Sequence, residues 1–208
     1  AIRTGKYDLV CGNFDYIDEN GNFLPQKTSV YTDAQLNKLL PYRNIIHHPT
    51  VIMTAKAFRA VGCYRNYLCA QDYDLWLRLK GAGYKMHMLP EKLIHYRVRQ
   101  ASTTTQRRYK QFCTGEYIRM LYSKKNNMKD YSYEGYLAYL DKKGTNDPVA
   151  NADFAENLQR YQQVVRNLKK GRVICVIKDT AKIIFGSKYF KLHILRTIKM
   201  VLITKFTK

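Results

Sequence analysis

Gln71-Asp-Tyr-Asp-Leu-Trp-Leu-Arg-Leu79 constrains this chain more than any other stretch. Leu75, Trp76 and Leu79 fall at helical spacing, and Gly81 and Gly83 follow as a stop, so a helix is predicted over Asp72–Ala82. Short runs rich in β-formers flank it: Tyr7–Phe14 and Thr50–Thr54 before, Tyr84–Leu89 and Lys92–Arg97 after. Thr50–Thr54 reads as a buried strand, and Asp18-Glu-Asn-Gly-Asn22 as a turn. A short helix is predicted over Asp33–Leu40, with Asp33 as its N-cap and Pro41 as its stop. Ala55–Val61 is expected to form a helical turn closed by Gly62. Such alternation defines a mixed α/β region.

Beyond about residue 108 the pattern changes. Thr103–Lys170 is expected to be mostly helical, with Ile118, Leu121 and Tyr122 on one helix and Tyr136, Leu137 and Leu140 on another. Asp147-Pro148 opens a third helix that runs through Phe154, Leu158, Tyr161 and Val165. Its tyrosines read as a core stripe with hydroxyls at the rim, or alternatively as a stacking platform for bases. From Arg172 to Lys208, nine basic residues stand against one acid, a net charge of +8. That tail has two readings. It is either an interfacial helix meeting anionic headgroups through Lys178, Lys182, Lys188, Lys191 and Lys199, or a pair of terminal helices packed on the domain with a solvated basic face. The segments are therefore 1–108, 109–170 and 171–208.

Over the whole chain, 36 Lys and Arg against 16 Asp and Glu give a charge of +20. With 46% apolar residues in 208, this is no disordered basic tail. Five Cys without a C-x-x-C pair argue against a disulfide scaffold or zinc ribbon and for a reducing compartment. No apolar run approaches the ~20 residues that a spanning helix needs. The charge leaves nucleic acid, an anionic membrane surface or an anionic substrate as partners. No zinc finger, RNP sequence or Gly-x-x-Gly loop is present, so nucleic acid rests on charge alone.

Several motifs lie in register. Asn44-Ile-Ile-His-His-Pro-Thr-Val-Ile-Met-Thr54 precedes Val61-Gly-Cys-Tyr64, then Gln71–Leu79 and Ile94-His-Tyr-Arg97. Together with Tyr7-Asp-Leu-Val10 and Tyr16-Ile-Asp-Glu-Asn-Gly21, this series resembles the second half of the catalytic domain of family 2 glycosyltransferases, over roughly residues 6–108. The resemblance implies α/β structure, a partial GT-A (Rossmann-like) sheet with flanking helices, followed by an α-helical C-terminal region. It also implies that the nucleotide-binding half of the domain and its metal-binding Asp-x-Asp lie upstream of Ala1. Asp72-Tyr-Asp74 has those letters but opens a helix rather than following an apolar strand, so it is not assigned to metal.

Inverting sugar transfer needs a carboxylate to take the proton of the attacking hydroxyl. A carboxylate at a helix N-terminus is oriented by free N–H groups and the dipole. Asp72 fits, and the family's matching residue is the general base; the alternative is a plain N-cap. The substrate-binding candidates around it are His48, Gln71, Asp74, Arg78, Arg97 and Arg99. Gln71 stands where the family usually has Glu, which removes like-charge repulsion on Asp72. Asp74 and Arg78, four residues apart, predict a pair on the helix surface or behind the site. Trp76 reads as core, with sugar stacking as the other possibility. His47 and His48 precede Pro49 at a strand entrance; at least one reads as structural, and His48 otherwise shapes an acceptor pocket. Arg99 replaces a family His and would clamp phosphate rather than touch metal.

The resemblance thus implies a hexosyltransferase-type enzyme that moves a sugar from a nucleotide diphosphate to a hydroxyl acceptor with inversion, in surface polysaccharide or lipid-linked glycan synthesis. Mg²⁺ or Mn²⁺ would serve the full-length enzyme. These residues alone would bind no cofactor and be inactive. With the basic tail, the expected location is cytoplasmic, peripheral at the inner face of the cell membrane. The other reading is a non-catalytic basic module that binds a membrane surface or nucleic acid.

Overall fold

The computed structural model describes residues 2–25, 29–99, 107–124, 130–169 and, in the tail, 172, 175–176, 179–181, 183, 195–197, 199–200 and 203–204. Its centre is a three-stranded mixed sheet, β1 (Leu9–Ile17), β2 (Ile52–Met53) and β3 (Met86–Arg97), in the order β2-β1-β3. β1 pairs antiparallel with β2 (Leu9 opposite Met53) and parallel with β3 (Leu9 opposite Met86). A parallel pair needs a long crossover. Here it carries α1 (Asp33–Leu39), α2 (Ala55–Ala60) and α3 (Gln71–Gly81). Three helices follow: α4 (Arg108–Ser123), α5 (Tyr133–Lys142) and α6 (Pro148–Lys169).

β1 is buried along most of its length, as a central strand must be. A Cβ at Gly12 would lie 2.4 Å from Leu93 Cδ1, so any larger residue there would have to displace the exposed Leu93 side chain. Gly12 also receives Thr50, whose Oγ1 accepts from Gly12 N–H at 3.2 Å and lies 3.1 Å from its carbonyl. Thr50 therefore straps the His-Pro-Thr segment onto the middle of the sheet.

Three local expectations are corrected. Thr32, not Asp33, caps α1: its Oγ1 accepts from Gln35 N–H at 3.2 Å while Gln35 Oε1 accepts from Thr32 N–H at 3.1 Å. Asp33 in the first turn instead accepts from Tyr7 Oη at 2.8 Å and pairs with His87 Nδ1 at 2.6 Å. The buried strand expected over Thr50–Thr54 shrinks to Ile52–Met53, with Ile52 exposed, because His48–Thr50 forms a 3₁₀ turn around Pro49. The two strands expected over 84–97 are one, which passes through Pro90 with irregular register between Cys11 and Phe14 of β1.

One apolar cluster runs from Leu9 through α1 and α3 to Tyr109, Cys113, Tyr117 and Leu121 of α4, Tyr136 of α5 and Phe154 of α6. α4 covers the outer side of α3, and residues 73–79 of α3 are all buried. Tyr109, Tyr117 and Tyr136 are core residues, as the stripe reading expects, while Tyr161 is half-buried. The hydroxyls are bonded inside rather than lying at a rim, Tyr109 donating to Lys143 O at 2.7 Å and Tyr136 Oη lying 2.8 Å from Thr114 Oγ1. The side chain of Val165 lies outside those described. Among the described residues no helix is long and apolar enough to cross a membrane.

The packed reading of the tail describes what is placed of it. Val176, Ile183, Met200 and Ile203 lie against the core, and Lys199 Nζ stands 4.9 Å from the centre of the Tyr42 ring. Lys178, Lys182, Lys188 and Lys191 lie outside the described residues.

Candidate active site

α3 starts without a side-chain cap. Ala70, at φ 57°, occupies the left-handed region and turns the chain so that Gln71 and Asp72 form the first turn. Asp72 is thus the second helical residue and not the cap. Its Oδ1 accepts from the backbone N–H of Tyr73 at 2.8 Å, and its Oδ2 accepts from Asn44 Nδ2 at 3.1 Å. Half-buried and fixed on both oxygens, the carboxylate also lies where the positive end of the helix dipole favours its charge.

Asn44 belongs to the loop that Thr50 straps to β1, and that loop delivers both histidines. His47 is half-buried, its ring 4.3 Å from Phe14 in an edge-to-face contact. Burial lowers the His47 imidazole, Arg43 pushes the same way, and Asp72 pulls it back up. His48 is exposed, with Nε2 2.8 Å from Tyr64 Oη and its ring 6.1 Å from Trp76. Burial first, and then the charge of Asp72, raise the Tyr64 phenol. Asn44 thus bonds the Asp72 carboxylate, His47 and Tyr64 feel its charge, His48 is bonded to Tyr64, and Gln71 is exposed beside Asp72 in sequence. Trp76 is fully buried and serves as floor, not as a sugar platform.

Asp74 and Arg78 form the expected i,i+4 pair, but inside the core rather than on the helix surface, because α3 is covered on every side. Arg78 Nε donates to Asp74 Oδ2 at 2.8 Å, Nη2 donates to Cys63 O at 2.7 Å, and Nη1 donates to Val61 O. Arg65 Nη1 reaches Asp74 Oδ1 at 3.4 Å. Burial pushes the Asp74 carboxyl up, against the pull of Arg78 and Arg65. The pair has both side chains buried. It clamps the Val61–Cys63 turn, where Gly62 (φ 83°) and Cys63 (φ 56°) are both left-handed, and so positions Tyr64.

Arg97 and Arg99 are exposed at the far end of β3. Arg97 Nη1 donates to Asp18 O at 3.0 Å and Glu19 O at 2.7 Å, and Arg99 lines a 350 Å³ cleft with the same turn. Their contacts thus tie the 18–22 turn and do not join them to Asp72.

Sequence reasoning gave no role to Asn44, Tyr64 or Arg43. The signal was slight: Arg43 and Asn44 are polar residues stranded between Pro41 and Ile45, and Tyr64 is one tyrosine among 18. Among the described residues no group of three or more His, Cys, Asp or Glu is placed to hold a metal. Asp74, ion-paired and buried, is not available to chelate with Asp72.

The chain is similar to three proteins named as glycosyltransferases. It is 29% identical over 92 residues to an uncharacterized glycosyltransferase of Methanocaldococcus jannaschii, covering 44% of this chain and 32% of that protein. It is 30% identical over 98 residues to the O-antigen biosynthesis glycosyltransferase WbnJ of Escherichia coli, covering 46% of this chain and 38% of that protein. It is 39% identical over 79 residues to an uncharacterized glycosyltransferase of Rickettsia conorii, covering 36% of this chain and 13% of that protein. The chain thus spans little more than a third of these relatives, or less. No protein-family model matches it.

Proposed function

We propose that this chain is the acceptor-side part of an inverting glycosyltransferase of family 2 with a GT-A fold, which transfers a hexose from a nucleotide diphosphate to a hydroxyl on a surface-polysaccharide or lipid-linked glycan. The observation that carries the reading is Asp72: a half-buried carboxylate in the first turn of α3, held by Asn44, with His47 and Tyr64 within reach of its charge. The names of three relatives support the class, and one of them ties it to O-antigen synthesis.

On this reading Asp72 accepts the proton of the acceptor hydroxyl as that oxygen attacks the anomeric carbon. Asn44 and the Tyr73 N–H hold both carboxylate oxygens, which fixes the direction of proton transfer. The residues described offer no metal site, so the diphosphate and its Mg²⁺ or Mn²⁺ are assigned elsewhere and no step is drawn through them. The test is a transfer assay on the intact gene product carrying Asp72→Asn. Loss of about 10²–10⁴-fold in kcat with retained fold is expected; turnover within a few-fold of the parent in both Asp72→Asn and Asp72→Ala would remove the base assignment.

A further inference from the structure

A cavity of 380 Å³ opens on the opposite side of Asn44, where the α/β region meets α4, α6 and the tail. Four arginines line it: Arg43, Arg108, Arg119 and Arg196. Arg119 and Arg196 both engage Glu116, which holds that carboxylate below its usual range even though burial opposes it. One acid thus serves two of the four cations. The other two, Arg43 and Arg108, are exposed, and their guanidinium groups make no hydrogen bond or ion pair among the described residues.

The rest of the wall carries the apolar side chains of Phe112, Phe154, Leu158 and Met200, interrupted by Asn44, Gln111 and Thr197. Surplus guanidinium beside apolar and aromatic surface suits an anion joined to a hydrocarbon. Arginine forks match phosphate oxygens bidentately, and the apolar wall suits a chain that water rejects. The position adds the purpose. Asn44 and Ala70 line the cavity, and Asn44 is bonded to Asp72.

We infer that this cavity binds the carrier end of the acceptor, a diphosphate ester of an apolar alcohol whose attached glycan supplies the hydroxyl, with Arg43 and Arg108 on the diphosphate and Phe112 against the chain. Calling the ligand an acceptor rests on the glycosyltransferase reading; the binding site itself does not.

Calorimetry on the whole 208-residue chain tests it, with farnesyl diphosphate, farnesol and inorganic diphosphate as probes. Farnesyl diphosphate should bind at least about tenfold tighter than either half alone, and salt should weaken it. The Arg43→Gln/Arg108→Gln double variant should lose about tenfold or more for the two diphosphates and little for farnesol. Neither guanidinium is bonded among the described residues, so the melting transition should be kept, and circular dichroism checks this. Phe112→Ala should weaken farnesyl diphosphate but not inorganic diphosphate.

Equal affinity for inorganic and farnesyl diphosphate would assign the site to soluble phosphates and overturn the proposal. So would undiminished binding by the double variant. Asp72→Asn should leave farnesyl diphosphate affinity within about twofold. Binding without Asp72-dependent transfer in the intact gene product would therefore sink the enzyme reading and leave the site, while the converse result would do the opposite.

Discussion

Asn44 donates from Nδ2 to Asp72 Oδ2 at 3.1 Å, joining a loop to a helix 28 positions later in the chain. Under the proposed function this bond orients the carboxylate that takes the acceptor's proton. Asn44→Ala should therefore lower kcat by about tenfold, the size of one lost hydrogen bond to a charged group. KM for the donor should stay within about twofold, and the unfolding midpoint should barely move. Steady-state kinetics on the intact gene product decide this.

His47 reports on the charge next to it. Asp72 raises its imidazole and Arg43 lowers it. Removing the anion in Asp72→Asn should move the His47 titration to lower pH, and removing the cation in Arg43→Gln should move it to higher pH. Two-dimensional NMR of the ring protons reads both shifts. A displacement of the same sign in both variants would contradict the placement of His47 between them.

Asp74 should be intolerant of change. Its carboxylate is fully buried and answers Arg78 and Arg65. Asp74→Ala leaves a buried guanidinium uncompensated, which costs about 3–5 kcal/mol. Urea unfolding should show that loss, and the Val61–Tyr64 turn should lose amide protection before the rest of the sheet.

Glu116 makes the docking of the tail depend on acidity. Its folded-state value lies below that of a free Glu, so its contribution is present above about pH 4.3 and fades as pH falls through the lower, folded value. Hydrogen exchange at residues 195–197, corrected for intrinsic rates, should lose protection between about pH 5 and 3. Glu116→Gln should abolish that step, because no carboxylate remains to be protonated.

Cys63 holds a left-handed conformation, φ 56°, that L residues resist. Cys63→Gly should relieve strain of about 1–2 kcal/mol and give back about 0.5–1 kcal/mol as chain entropy. A net gain of under about 1 kcal/mol in thermal unfolding is expected.

The α/β alternation, the helix over 72–82 and the third helix from Pro148 were legible because each has a period, a cap or a stop written within a few residues. Asp72 was singled out only through the motifs around it and the family they resemble, because an acid at a helix start taken alone reads as an ordinary cap. The inside of the Asp74–Arg78 pair was not legible. Four-residue spacing places the two on one face, but only the arrival of α4, more than 30 positions later, decides that this face is dry. Asn44 escaped for a related reason: its partner is 28 positions away, and nothing local marks the meeting. The strand expected over 50–54 failed because Thr50 spends its hydroxyl on the Gly12 and His47 backbones, which bends the segment into a turn.

The helix that bears Asp72 is wrapped by parts of the chain on both sides, and this sets a rule for inheritance. A lineage that wished to recruit a new acceptor could not simply exchange the segment after residue 108 for a foreign one, because Tyr109, Cys113 and Tyr117 fill the space against α3. Recombination breakpoints there would carry a packing debt, whereas point changes at the exposed Arg43 and Arg108 would not. Specificity in such proteins is then expected to drift by single substitutions around the cavity, and to jump only when α3 and the helices that cover it travel together.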